Sequence, residues 1–273
     1  METAAYRPLA SWVNERQAAV DNRINERLGV YEMETLTLHD IKFEQAVKEY
    51  RLTGISDVLE DLVFIFDLQH LYSYYLKYNT ALNAPYHNHY HVMCMMANCY
   101  EAGIHEDLSS AELRQLLIAA MFHDFDHSAG KSEDMVNIKI AMITVECLRA
   151  AGLLSHDDAL VVRDIISVTQ YPFVHEPVTK LQRIIRDADL MQPYEENAAV
   201  RLKQYEGLKQ EIETKLQRKL TNDEFANGLK KFFKEEVVWY TEWARNKAQF
   251  RNWDYSTMSL LGQLRGDHGQ QVS

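Results

Sequence analysis

Long stretches of the chain place apolar residues three or four positions apart, which is the spacing of an amphipathic helix. Between residues 111 and 121, for example, the apolar positions are Leu113, Leu116, Leu117, Ala120 and Met121. Only 10 Gly and 5 Pro occur in 273 residues, which favours long helices over a series of short strands. The pattern predicts helices over residues 8–28, 39–51, 56–79, 87–101, 110–125, 133–151, 156–169, 178–192, 196–219 and 222–250. We therefore predict an all-α fold, a compact multi-helix bundle.

Local signals mark where several of these helices begin and end. Ser109 with Glu112, and Thr221 with Glu224, fit the capping box, in which two side chains satisfy backbone N–H groups at a helix start. Helix ends are predicted where a glycine follows a helical stretch, namely at Gly29, Gly54, Gly103 and Gly152. Residues 57–78 are apolar on almost every side, which predicts a central buried helix.

The domain organisation is predicted to be simple. No linker rich in Gly, Pro or Ser and no internal repeat interrupts the helical pattern. Residues 37–273 are predicted to form one globular unit, a size that a single core can support. The polar amphipathic helix within residues 1–36 is interpreted as an arm for packing or for forming a homodimer.

Charge and cysteine content narrow the classes of partner. A net charge of -11 argues against binding to a nucleic acid polymer or an anionic membrane, since either would need clustered Lys and Arg. Three cysteines without a CxxC pair fit a reducing compartment. The chain start lacks the features of a secretory signal, and the longest apolar run, Leu62–Phe66, is far too short to span a membrane. We predict a cytoplasmic protein that would hold an anionic substrate through a local cation.

Histidines are concentrated in two short windows. Of the 11 in the chain, His87, His89 and His91 lie in PYHNHYH, and His123 and His127 lie in FHDFDH. Residues four apart share a helix face, so His87 is expected over His91 and His123 over His127, in a largely dry interior. Imidazole with a neighbouring carboxylate suits Zn, Fe, Mn and similar ions. The windows predict a metal site, with hydrogen-bonded core histidines as the alternative.

Both windows resemble a known family. The run AAMFHDFDHSAG is similar to the signature of HD-domain metal-dependent phosphohydrolases. PYHNHYHVM before it and ADLMQP after it resemble, in family order, the motifs of class I cyclic-nucleotide phosphodiesterase catalytic domains. The resemblance covers roughly residues 83–239 and implies an HD-type helical bundle that hydrolyses a 3′,5′-cyclic nucleotide. The short spacing between the second and third motifs indicates a compact, bacterial variant.

The resemblance assigns roles to individual side chains. It implies that His91, His123, Asp124 and Asp189 hold the first of one or two divalent ions, which could be Zn, Fe, Mn or Mg. Asp124 would bridge to the second ion, and His127 would hold solvent near it, so that a metal-bridging hydroxide attacks the phosphodiester.

The resemblance also concerns residues close to the implied ligands. Glu146 and Asn137 are similar to family residues that lie one hydrogen bond away from the metals. Asp187 competes with Asp189 for the last ligand position, but residues two apart point to different sides of a helix. Asp187, close to Arg186, is interpreted as a surface ion-pair partner.

His87 is the candidate proton donor to the leaving alkoxide, because it is near His91 and is not itself expected to bind the metals. Two cations nearby would disfavour its charged form. An acidic neighbour is therefore expected to restore its pKa, and the sequence does not identify that neighbour.

The segment around Glu236 and Trp239 resembles the place where the family carries a purine-binding glutamine followed by an aromatic clamp. Glu236 departs from the glutamine, and a carboxylate only accepts hydrogen bonds. Trp239 would stack on a base, and Tyr86 and Thr169 are predicted to line the site. The alternative for this segment is an ordinary amphipathic helix with a packed tryptophan.

Other functions compatible with the same residues stay open. The predicted partner is a small phosphoester, most simply a nucleotide. Within enzymes, the alternatives are another HD phosphohydrolase, such as a nucleotidase, triphosphohydrolase or alarmone hydrolase, and a diiron oxygenase on the same helical framework. A triphosphate substrate would call for several Lys or Arg residues in the pocket, and the segments concerned have few. A non-catalytic HD module that senses a ligand is the alternative from a different class.

Overall fold

The structure, a computed structural model, describes residues 55–191 and 198–250. Within these ranges the regular secondary structure is entirely α-helical, which confirms the predicted fold class. The helices are α1 (Ile55–Ile65), α2 (Gln69–Tyr78), α3 (His89–His105), α4 (Ser110–Phe122), α5 (Asp134–Ala150), α6 (His156–Ser167), α7 (Lys180–Asp189), α8 (Ala198–Leu216), α9 (Asn222–Glu235) and α10 (Glu242–Phe250). The predicted helices over 8–28 and 39–51, and the predicted arm over 1–36, lie outside the described residues.

Two predicted helices are each divided into two. The helix predicted over 56–79 breaks at Asp67, whose φ of 52° ends α1 in the left-handed conformation, while the Leu68 N–H donates back to the Val63 carbonyl at 2.8 Å. The helix predicted over 222–250 breaks between α9 and α10. There the N–H groups of Tyr240 and Thr241 donate to a distant carboxylate instead of continuing the helix.

Within the described residues, the local start and stop signals are confirmed except in one case; Gly29 and Gly54 lie outside those residues. Ser109 and Thr221 both form complete capping boxes with the glutamates three residues later. Gly152 ends α5 with a φ of 72°. Gly103, however, does not end a helix: it lies inside α3, where a Cβ would clash with the side chain of Leu113 in α4. Its lack of a side chain lets the two helices pack closely.

Helix α4 forms the middle of the described core. It contacts α2, α3, α5, α6 and α7, and Leu113 and residues 116–122 have no solvent exposure. The predicted central helix over 57–78 is less buried than its composition indicated, since Phe64 is 73% exposed. The histidine window FHDFDH starts at Phe122, the last residue of α4, so His123 follows the core helix directly and is buried.

Helix α8 approaches both histidine windows closely. A Cβ on Gly207 would clash with the carbonyl of Pro85, the first residue of the first window. A Cβ on Gly130, which has a φ of 84°, would clash with the Glu211 carbonyl in α8. The absence of side chains at these two glycines therefore fixes the distance between α8 and the two windows.

A matched pair of glycine substitutions tests this close approach. Gly207→Ala should lower the free energy of unfolding by about 1–3 kcal/mol, because the methyl group must displace backbone. Gly228→Ala in α9, where nothing lies within 4 Å of the added Cβ, should raise it by about 0.5–1 kcal/mol through helix propensity alone. Urea unfolding of the two variants measures both changes. Equal effects would contradict the close packing of α8.

None of the helices in the described ranges has the length and apolar content that a bilayer crossing requires.

Candidate metal centre

Four side chains from three separate helices converge at the end of the core. His91 lies in the first turn of α3, His123 and Asp124 follow α4 directly, and Asp189 is the last residue of α7. One ligand atom from each lies within 4.8 Å of all the others. His91 and His123 are each 1% exposed. The structure thus brings together the four residues that the family resemblance implied as ligands.

The separations between these atoms fit a shared cation. The two imidazole Nε2 atoms are 3.3 Å apart, and Asp124 Oδ2 lies 3.2 Å from His91 Nε2 and 2.9 Å from His123 Nε2. Ligands that are each about 2.1 Å from one ion stand roughly 3.0–3.5 Å from one another. Asp124 Oδ2 is buried without a hydrogen-bond partner of good geometry, which an ion would supply.

The orientation of His123 supports the same conclusion. Its Nδ1–H donates to the Ala120 carbonyl at 2.8 Å, so its Nε2 lone pair is turned toward the other ligands. A backbone carbonyl that holds the far nitrogen of a ligating histidine is a common support for metal binding. The group can therefore hold a metal ion, whose identity the donor set alone leaves open.

Without a metal, the two carboxylates compensate the two imidazoles. Burial opposes the charged form of His91, but hydrogen bonds and charge from Asp124 and Asp189 outweigh it and raise the pKa of His91 to about 9. Burial also opposes ionisation of Asp124, yet the neighbouring His123 and His87 hold its pKa well below the ordinary value. The pKa of Asp189 is lowered for similar reasons. A metal must therefore displace protons from the imidazoles when it binds.

Metal binding should consequently strengthen with pH. Below about pH 9, where the metal-free protein holds the His91 proton, the association constant should rise up to about tenfold per pH unit for each proton displaced. Calorimetric titration with Zn²⁺ or Mn²⁺ in buffers of different ionisation enthalpy counts the released protons. His91→Gln should release fewer protons, while His156→Gln, an exposed control, should match the wild type. Binding independent of pH would contradict a ligand role for the imidazoles.

The stability of the metal-free protein should fall as pH rises, whereas metal binding strengthens. Its folded state holds the His91 proton up to about pH 9, whereas the unfolded chain releases it near 6.5. The folded state thus binds more protons in this window, and stability falls as pH rises through it. Thermal unfolding in chelator between pH 6 and 9 tests this sign.

A second group of titratable side chains lies beside the first. His87, His127 and Glu211 also place one ligand atom each within 4.8 Å of one another, so this group too can hold a cation. The centroids of the His87 and His127 rings are 3.7 Å apart, and the ring planes are tilted by 34°. The His87 Nδ1–H donates to Glu211 Oε2 at 2.6 Å. The second group is therefore both a possible cation site and a hydrogen-bonded pair.

The histidines of the two windows converge without sharing a helix face, which differs from the prediction. His87 does not lie over His91 on a helix, because α3 begins at His89 and Asn88 caps it by accepting the His91 N–H at 3.1 Å. His123 and His127 likewise lie in the turns after α4 rather than on one helical face. The prediction from helical spacing was therefore wrong, although all four side chains still converge.

Glu211 is the acidic neighbour that the sequence did not identify. Besides the His87 ring, it accepts the backbone N–H groups of Tyr86 and His87 at 2.8 and 3.1 Å. Burial lowers the pKa of His87, but the charges of Asp124 and Glu211 and the hydrogen bond to Glu211 outweigh it and raise that pKa. Because Nδ1 is bound to Glu211, Nε2 is the nitrogen left to exchange a proton.

Of the two residues expected to support the metals, only one is close to the site. The buried Asn137 accepts the Ser128 N–H at 3.0 Å, directly after His127. Glu146 instead forms ion pairs with Arg149 and Arg163 at 2.8 and 2.5 Å on the α5–α6 surface. Its side chain is satisfied there, so the structure does not bring Glu146 into either group.

The interpretation of Asp187 as a surface ion-pair partner was wrong. Its side chain has no exposure and accepts the Tyr240 and Thr241 N–H groups and the Thr241 hydroxyl. Burial raises the pKa of Asp187 to about 6, although these hydrogen bonds act against the rise. The expectation that Asp187 and Asp189 face different sides is confirmed.

The residues predicted to contact substrate divide into two sets. The buried Tyr86 packs its ring against His87 and His91, with centroids 4.8 and 5.2 Å away. Thr169 is buried at the end of α6, where its hydroxyl donates to the Ile166 carbonyl.

Glu236 and Trp239 belong to the segment between α9 and α10. Glu236 is exposed and accepts the Tyr171 hydroxyl at 2.8 Å, and Trp239 is partly buried. Tyr240, the residue after Trp239, donates its N–H to Asp187 of α7, the helix that ends at Asp189. The contacts tie this segment to the helix that carries a predicted metal ligand.

Comparison with known proteins adds no support for the family resemblance beyond the motifs themselves. No family model matches the chain, and no curated protein matches it in sequence. The resemblance to HD-domain phosphohydrolases therefore depends on the motifs and on the geometry of the side chains that they bring together.

Proposed function

We propose that the protein is a metal-dependent phosphohydrolase that cleaves the phosphodiester of a 3′,5′-cyclic nucleotide. The observation that carries this proposal is the pairing of two groups in adjacent positions. One offers four ligand atoms to a cation, and the other holds an imidazole against a carboxylate, which raises the pKa of His87. A binding module would not need both.

Divalent ions, when bound, would activate water and neutralise phosphate charge. The side chains that would hold them are His91, His123, Asp124 and Asp189, whose two carboxylates match the charge of one divalent cation. Their burial, with His91 and His123 each 1% exposed, limits competing water. An overall charge of -11 would otherwise repel a phosphoester, so the cation provides the local attraction.

His87 is positioned to protonate the leaving oxygen. Glu211 holds Nδ1 at 2.6 Å, which fixes the ring and stabilises the imidazolium. The remaining nitrogen, Nε2, can then donate its proton, and Glu211 keeps the ring in the tautomer ready for the next proton. This arrangement suits an alkoxide leaving group, such as the 3′ oxygen of a ribose, because an alkoxide is a poor leaving group without a proton.

Assays of the purified full chain with Mn²⁺ or Mg²⁺ test the proposal. The substrates are cyclic nucleotides, nucleoside monophosphates, nucleoside triphosphates and the base-free diester bis(p-nitrophenyl) phosphate. We expect turnover of cyclic nucleotides to 5′-monophosphates, abolished by chelator and restored by metal, with one oxygen from ¹⁸O-labelled water in the product phosphate.

Other outcomes would point to the alternatives. Release of a terminal phosphate from a monophosphate or triphosphate, with cyclic nucleotides untouched, would favour another HD phosphohydrolase. Oxygen consumption with an iron-loaded protein would favour the diiron oxygenase. Tight nucleotide binding without turnover under any metal would favour the sensing module.

A further inference from the structure

The second group of titratable side chains has the composition of an open zinc site. Its two imidazoles and one carboxylate, from His87, His127 and Glu211, each place one ligand atom within 4.8 Å of the others. Zinc sites with two histidines and one glutamate occur in metalloenzymes and leave a fourth position to water. Mg²⁺ and Ca²⁺ prefer ligand sets made of oxygen, so this group favours Zn²⁺ and similar transition ions.

Both rings present Nδ1 to the same carboxylate oxygen. Glu211 Oε2 lies 2.6 Å from Nδ1 of His87 and 4.0 Å from Nδ1 of His127. Two ligands of one zinc ion stand roughly 3.0–3.5 Å apart, so the first distance must widen slightly and the second must shorten. The His87 side chain is 23% exposed, which leaves it room to move, whereas those of His127 and Glu211 are 5% and 4% exposed.

His127 is held in the tautomer that a metal requires. Its Nδ1 accepts the Ala129 N–H at 3.2 Å, so this nitrogen carries a lone pair and Nε2 carries the proton. That Nε2 lies 3.7 Å from Asp134 Oδ1. A carboxylate beside the far nitrogen of a ligating histidine is a common support in zinc sites. Binding of an ion would replace only the long hydrogen bond from Ala129.

The group lies beside the candidate metal centre and shares no ligand with it. The centroids of the His87 and His91 rings are 5.6 Å apart. A Cβ on Gly130 would clash with the Glu211 carbonyl, so the turn after the second window packs directly on α8. An ion in this group would therefore act on the proposed chemistry without displacing the ion of the first group.

We propose that His87, His127 and Glu211 bind Zn²⁺ or a similar transition ion present in excess, and that this ion inhibits hydrolysis by occupying the proton donor. The inhibition rests on the proposed function, whereas the binding does not. An ion on Nδ1 of His87 takes the place of the proton shared with Glu211. The ring then keeps its remaining proton on Nε2 as a neutral imidazole, which is a much weaker acid than an imidazolium. This ion differs from the second ion that the family resemblance implies, which Asp124 would hold and for which His87 is no ligand.

The first experiment counts bound zinc. The purified full chain is freed of metal and dialysed against buffered Zn²⁺, and metal analysis gives the number of ions per chain. His87→Gln should keep the ion of the first group but bind one Zn²⁺ fewer than the wild type, because one of three ligands is removed. His156→Gln, at an exposed position, is the matched control and should bind as many as the wild type. Equal zinc counts in His87→Gln and the wild type, or an equal loss in His156→Gln, would overturn the proposal.

The second experiment measures inhibition on two substrates. Excess Zn²⁺ added to the Mn²⁺-loaded wild type should lower kcat on cyclic nucleotides by about 10²-fold or more, within the range that a general acid supplies. Bis(p-nitrophenyl) phosphate, whose p-nitrophenolate leaves without a proton, should be affected much less. Mg²⁺ at the same concentration should not inhibit. Equal losses on both substrates would overturn the inhibition, because zinc would then act on the first ion.

The outcomes separate this inference from the proposed function. If neither diester is hydrolysed with any metal, the proposed function fails, while the zinc counts still decide whether the second group binds an ion. If both diesters are hydrolysed and the zinc count of His87→Gln equals that of the wild type, the proposed function stands and this inference falls.

Discussion

Replacing Asp124 by Asn should abolish metal binding and turnover together, with kcat/KM falling by more than about 10³-fold. Asp124 Oδ2 lies within 3.2 Å of both ligand imidazoles, so it occupies the centre of the group. An amide of the same size keeps the packing but removes the negative charge and one good ligand atom. Metal content of the purified variant, with its rate on cyclic nucleotides, measures both losses.

The stability of the variant provides an independent measurement. A metal that binds only the folded state raises the free energy of unfolding by about 2.7 kcal/mol at 100 times its dissociation constant. Added Mn²⁺ should therefore raise the Tm of the wild type and leave that of Asp124→Asn almost unchanged. Asp157→Asn, at an exposed position in the first turn of α6, is the matched control and should behave as the wild type. Full activity in Asp124→Asn would reject the metal centre.

Replacing His87 by Gln should spare the metal and slow the chemical step by about 10²- to 10⁴-fold on cyclic nucleotides. The loss should be much smaller on bis(p-nitrophenyl) phosphate, because p-nitrophenolate leaves without a proton. The leaving group thus serves as an internal control within one variant. Equal losses on both substrates would contradict proton donation and would indicate a general disturbance of the site.

Glu211 provides the companion measurement. Its negative charge raises the pKa of His87, so Glu211→Gln should lower that pKa, and the protonated donor should persist only to lower pH. The alkaline limb of the kcat profile should then move down by about one unit or more. An unchanged limb would show that Glu211 has no part in keeping His87 protonated.

The fold class could be predicted because apolar spacing is a local property. Helices α3 to α8 lie where the pattern placed them, with ends shifted by a few residues. The break between α9 and α10 could not be predicted, since it depends on Asp187, which is 54 residues away from Thr241 and accepts its N–H. The left-handed turn at Asp67 is likewise favoured by burial of the following Leu68, which has no exposure.

In the candidate site too, the features encoded in local sequence could be predicted, and those that depend on distant residues could not. The windows rich in histidine predicted a metal site, and the family resemblance supplied its four ligands, including Asp189, which lies in neither window. Glu211 could not, since it lies 124 residues from His87 on a helix whose sequence looks like any amphipathic surface. The only local signal is Gly207, a glycine within that helix. Glu146 was misplaced because its helix turns the side chain toward Arg163 instead.

The close approach of α8 has a consequence for tracing this site in other chains. Gly207 lets the helix touch the backbone at Pro85, where the first window begins, and Glu211 reaches His87 from one turn further on. A small residue followed four positions later by a carboxylate, downstream of the third motif, is therefore a searchable mark of the His87–Glu211 pair that we propose as the proton donor. Chains that keep the histidine windows but lack this mark would need another carboxylate to support the proposed acid.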